Sequence, residues 1–152
     1  MGILHRMFTA VPPRERLLAE LADLAGRHRE LADRLARHAT ICAYPNIAGG
    51  LAALAARQAE HARALHILLR ERNVWPKLPR PMEAEGSSNW ARVTGDLEIM
   101  LELSRELNQQ ALHWEGIDPA LAARLRTIAR EDDRKLGELR ELALKCDPQA
   151  FD

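Results

Sequence analysis

Four times along this chain, apolar residues recur at alternating steps of three and four, a rhythm that lines one face of an α-helix. After Pro12-Pro13 the first series runs Leu17, Leu21, Leu24, His28, Leu31, Leu35, His38 and Cys42. Ala43-Tyr44-Pro45-Asn46 interrupts it, and the second follows at Ile47, Leu51, Leu54, Gln58, His61, Leu65 and Leu68. The third, opened by the polar segment Gly86-Ser87-Ser88-Asn89, uses Trp90, Val93, Leu97, Met100, Ser104, Leu107, Ala111 and Trp114. Beyond Glu115-Gly116-Ile117-Asp118-Pro119 the fourth takes Leu121, Leu125, Ile128, Asp132, Lys135, Leu139, Leu142 and Cys146. Ala, Leu, Arg and Glu fill these blocks, with few β-branched or aromatic residues among them. The pattern predicts an all-α protein.

The breaks between the blocks predict how the helices pack. A few residues join helix one to two and helix three to four, so each pair is expected to form an antiparallel hairpin. The connection at residues 73–88 is longer and carries Pro76, Pro79 and Pro81, which favour extended backbone. At ~3.1 Å per residue it reaches ~45 Å, enough to pass a twenty-six-residue helix of ~39 Å. The expectation is one four-helix bundle over residues 1–152, with helices at about 13–42, 47–72, 89–114 and 119–146 and a crossover at 73–88. Helix three then starts at the end where helix two starts.

With 152 residues and 47% hydrophobic content the chain can bury a core of its own. Lys plus Arg equals Asp plus Glu at 22 each, so no net field favours nucleic acid or an anionic membrane. No apolar run approaches the ~20 residues of a membrane helix, and Arg6 stands where a myristoylation signal wants Ser or Thr. These features predict a soluble, cytoplasmic protein. Cys42 and Cys146 lack finger or CxxC spacing and read as buried apolar thiols.

Polar residues interrupt the four stripes midway along. His28, Gln58, His61, Ser104, Asp132 and Lys135 occupy apolar positions, and the predicted topology brings them into one layer. His28 lies fourteen residues before Cys42, Asp132 fourteen before Cys146, and Ser104 fourteen after Trp90. Helices two and four also repeat at an offset of 74: Pro45 maps to Pro119, Leu51 to Leu125, Gln58 to Asp132, His61 to Lys135 and Leu68 to Leu142.

Two helix hairpins, a long crossover, and polar pairs spaced i, i+3 on helices two and four resemble the ferritin-like superfamily of rubrerythrins and di-iron carboxylate proteins. The segments Gly86-Ser87-Ser88-Asn89-Trp90-Ala91-Arg92 and Asp118-Pro119-Ala120 are similar to an uncharacterised bacterial branch of it. The resemblance implies a Glu on each of helices one and three and a Glu-x-x-His on each of helices two and four, around two metals. Here those positions hold His28, Ser104, Gln58-Ala59-Glu60-His61 and Asp132-Asp133-Arg134-Lys135, while Glu98, Glu102, Glu60, Glu131 and Asp133 lie off the seam.

One carboxylate already offset by an ammonium is a poor donor set for two divalent cations. The layer is therefore expected to be a degenerate di-iron site with no cofactor and no catalytic residue, its polar groups satisfying one another: Lys135 with Asp132, and the histidines with Gln58 and Ser104. The role expected is that of a non-catalytic binding or scaffold protein, with function on the outer helix faces or the Trp75 crossover. The alternative is a metal-dependent oxidoreductase or iron-handling protein holding iron or manganese through His28, His61 and Asp132. A homodimer through helix faces is implied by the resemblance, with Leu18, Ala25, Ile99 and Leu103 widening the apolar arcs. His38, near Cys42 and at the same bundle end as Cys146, is expected to be a packed core histidine, with a soft-metal pair to Cys146 as the alternative, and Trp90 and Trp114 are expected to anchor the ends of helix three. No phosphate loop, nucleophile elbow or zincin motif is present.

Overall fold

The computed structural model describes residues 12–77 and 86–147. These form four helices: α1 (Arg14–Ile41), α2 (Pro45–Arg70), α3 (Asn89–Trp114) and α4 (Pro119–Cys146). Helix α2 begins slightly earlier than its apolar rhythm suggests, because Pro45 at the first helical turn has no N–H to lose. The same holds for Pro119, where the Asp118 side chain caps α4 by accepting from the Leu121 amide at 3.0 Å. Ser88 caps α3, accepting from Ala91 at 3.1 Å. The opening residues, with Arg6, and residues 78–85, with Pro79 and Pro81, lie outside the described segments.

The pairing forms a square. Helix α1 packs on α2 and α3, α4 packs on α3 and α2, and the diagonal pairs make no close backbone approach. Cross-helix contacts give the directions. Between α2 and α4, Gly50 lies against Leu142, Arg57 pairs with Glu138, and Arg72 pairs with Asp118 at 2.8 Å. Between α1 and α3, Gln110 donates to Glu20 at 3.2 Å, Arg27 to Glu106 at 2.7 Å, and Arg34 to Asp96 at 2.9 Å. Both pairs run antiparallel, so α3 starts at the end where α2 starts. The connection after α2 therefore travels the length of the bundle. On the way Lys77 crosses α1 so closely that a Cβ at Gly26 would stand 3.0 Å from its carbonyl oxygen.

Each helix touches two neighbours and so needs a broader apolar arc than one seam supplies. Leu18, Ala25 and Leu103 are buried inside the molecule's own core for that reason, and do not form the outward dimer surface expected of them. The inward face of α3 is also displaced from the expected stripe near its start: Asp96 is fully buried, while Leu97 is half-buried and Trp90 is 43% exposed. Trp114 does anchor the other end, wholly buried with its indole N–H donating to Gln110 at 2.9 Å.

Candidate functional site

Helical phase turns His28 of α1, Gln58 and His61 of α2, and Asp132 and Lys135 of α4 into the core, where all five are buried. Because α2 and α4 are antiparallel, Gln58 meets Lys135 while His61 meets Asp132. The related residues of the repeat thus face each other in crossed pairs.

Lys135 is the hub. Its Nζ lies 2.5 Å from Gln58 Oε1, 2.6 Å from His61 Nδ1 and 2.7 Å from Asp132 Oδ1. An ammonium has three N–H bonds and no acceptor, so these three neighbours match its capacity. The geometry then orients every other group. With Gln58 Oε1 accepting from Lys135, the amide Nε2 donates to His28 Nδ1 at 2.6 Å. His28 in its neutral form therefore carries its proton on Nε2. His61 accepts from Lys135 at Nδ1, which leaves Nε2–H to donate to Glu131 at 2.6 Å. Glu131 is itself exposed, so His61 links the buried hub to solvent.

The ring of contacts is almost closed. His28 Nε2 and Asp132 Oδ2 have no hydrogen-bond partner among the described residues, and they face each other at 3.9 Å. That gap is too long for a hydrogen bond. Burial pushes the His28 imidazole down to about 4; Asp132 opposes the shift, while Lys135, His61 and Arg27 add to it. Burial is also the largest influence on Asp132 and would raise it, but His61, whose Nδ1 lies 2.9 Å from Oδ1, and the nearby His28 and Lys135 hold it below its usual value. Burial pulls Lys135 below the ordinary lysine value against the attraction of Asp132.

Five of the six residues of the expected layer are brought together. Ser104 is the exception: it is buried at the same level, but its hydroxyl turns to the α3–α4 rim and donates to Asp133 at 3.0 Å, not to a histidine. Asp133 follows Asp132 on α4 and points toward α3, within easier reach. His38 likewise contacts the Asp96 carboxylate, which Arg34 also holds. Cys42 and Cys146 are half-buried against the core and both free. Asp96 and Glu131 are absent from the expected layer. Asp96 was detectable in principle, lying three residues after Val93 and four before Met100, which is the inward phase.

Compared with known proteins, the sequence matches no protein-family model and no curated protein. The donor set itself can still be tested against two metals. Two of its nitrogen and oxygen donors, His61 Nδ1 and Asp132 Oδ1, already lie on the Lys135 ammonium, and Asp132 is the only buried carboxylate of the layer. Among the described residues no group of three or more His, Cys, Asp or Glu side chains is arranged to hold a metal ion. The residues present do not fit a carboxylate-bridged metal pair.

Proposed function

We propose that this protein is a non-catalytic binding or scaffold bundle of ferritin-like ancestry, in which a lysine of the chain has taken the place of the metals. The observation that carries this reading is the Lys135 ammonium held by Gln58, His61 and Asp132 at 2.5–2.7 Å. A cation at that point repels an incoming divalent ion and uses the donors it would need. Such a centre specifies how the helices register without performing chemistry.

The test is elemental analysis of protein purified without chelator, run beside Gln58→Glu/Lys135→His, which restores the two ligand-like pairs. Wild type is expected to carry well under one equivalent of iron or manganese, and the double variant to gain metal. Two tightly bound metals per wild-type chain would overturn the reading. A second reading, a single metal on His28, His61 and Asp132, draws support from the two open atoms, His28 Nε2 and Asp132 Oδ2. It requires Lys135 to leave its three partners. Metal-dependent turnover of peroxide or oxygen by wild type, abolished by His61→Ala, would favour it.

A further inference from the structure

The last turn of α2 directs the chain back over its own outer face. Asn73 takes a positive φ of 57°, the left-handed conformation that Asn tolerates better than most residues, and the Val74 amide returns to the Leu69 carbonyl at 3.0 Å. Trp75 precedes a proline and is biased to extended backbone. Its ring lies under the Arg70 guanidinium, 5.0 Å from centroid to carbon, yet the side chain remains 70% exposed. A large indole left in water at a structured position is an observation in itself.

A cleft of about 570 Å³ opens there between α1, α2 and Trp75-Pro76-Lys77. Arg63, His66, Ile67 and Arg70 follow at i, i+3, i+4 and i+7 and share one face of α2, and Arg29 of α1 and Lys77 complete the wall. Ala25 and Ala62 form an apolar floor. No acidic residue among the described ones lines this cleft. Arg29 pairs with Asp33 at 3.2 Å and Lys77 with Asp23 at 3.3 Å, both acids lying outside it. Arg63, His66 and Arg70 have no acid partner among the described residues. In a chain of zero net charge, the gathering of Arg29, Arg63, Arg70 and Lys77 around this cleft is local.

We infer that the cleft binds a small planar aromatic anion, a flat ring carrying a phosphate or carboxylate. The ring stacks on the exposed Trp75 indole over the alanine floor, and the anionic oxygens take the N–H edges of Arg63 and Arg70. Stacking leaves an arginine's in-plane N–H groups free for that bond. The size suits it, because pockets for such ligands run from ~300 to ~1,000 Å³. This inference goes beyond the proposed core function and shares no residue with the polar layer, so either can fail without the other.

Adenosine monophosphate and indole-3-acetate, titrated into the full chain by calorimetry, separate the two sources of the anionic group. Saturable one-to-one binding of at least one is expected, weakening as salt is raised. Arg63→Gln and Arg70→Gln, both at exposed positions, should each weaken it about tenfold, consistent with loss of a charge-assisted bond. Trp75→Ala should weaken it by a similar factor, and adenosine or inorganic phosphate alone should bind at least ~10-fold less tightly. Circular dichroism of each variant checks that the bundle is intact. Absence of saturable binding for both probes, unchanged affinity in Arg63→Gln/Arg70→Gln, or equal affinity for inorganic phosphate would each overturn the inference.

Discussion

Asp132 and Lys135 show how a buried charge depends on its neighbour. Asp132→Ala leaves an ammonium in the core with its counter-charge removed, and should cost about 3–5 kcal/mol. Asp132→Leu combined with Lys135→Met removes both charges and should cost much less, since neither group is left unpaired. Urea denaturation of the singles and the double closes the cycle; additive, near-zero effects would mean that the two side chains do not share an interior site. His28 supplies a pH dependence. Its folded value of about 4 lies below the unfolded value of 6.5, so between those pH values the unfolded chain binds the extra proton. Stability from neutral His28 is therefore present above about pH 6.5 and falls as pH drops toward 4, by on the order of 3 kcal/mol. Asp132, also depressed, loses its contribution at still lower pH. The difference between wild type and His28→Gln across pH 4–7 should isolate the histidine, and an identical pH profile for both would contradict the assignment. At this scale the sequence showed which side chains are misplaced in the apolar stripes and that Lys135 would pair with Asp132 and a histidine with Gln58, but not that His61 would turn to Glu131 or Ser104 to Asp133. Ser104 chose Asp133 over a histidine because hydrogen bonds follow side-chain direction within a few ångströms, which residue spacing does not resolve.

At the scale of the elements, glycines in similar helical settings should respond oppositely to substitution. Gly137 of α4 has open space where a Cβ would be, so Gly137→Ala should stabilise by about 0.5–1 kcal/mol. At Gly26 the new Cβ meets the Lys77 backbone at 3.0 Å, so the crossover must lift and Gly26→Ala should gain less or lose stability. Thermal melts of the two variants decide it, and equal stabilisation would mean that the crossover does not rest on α1. Helix existence, the polar cap region before α3 and most helix ends were legible in the sequence because they depend on local spacing, although Pro45, read there as an interruption, is the first residue of α2. The inward phase at the start of α3 was not. Leu97 is the more apolar choice, but Asp96 faces inward, where Arg34 and His38 supply partners from α1.

For the whole molecule, the parallel arrangement of α2 and α3 requires a connection that spans the bundle. Cutting residues 71–88 to six residues leaves a reach of roughly 25 Å at ~3.5 Å per step, short of the ~39 Å length of a twenty-six-residue helix. The shortened chain should exchange hairpins with a second copy, and native mass spectrometry should find a dimer; a stable shortened monomer would contradict the topology. The sequence by itself determined that there would be four helices, roughly where they begin and end, and that the middle connection was long enough to cross the molecule. It did so because helical period, capping and loop reach are properties of neighbouring residues. Only the tertiary structure decided that Lys135 would reach Gln58 and His61 as well as Asp132, that Asp96 would be buried, and that Arg63, His66, Arg70 and Trp75 would border one cleft. Those outcomes depend on which side chains the packed helices bring within hydrogen-bond distance, and that is fixed by the relative rotation and rise of whole helices.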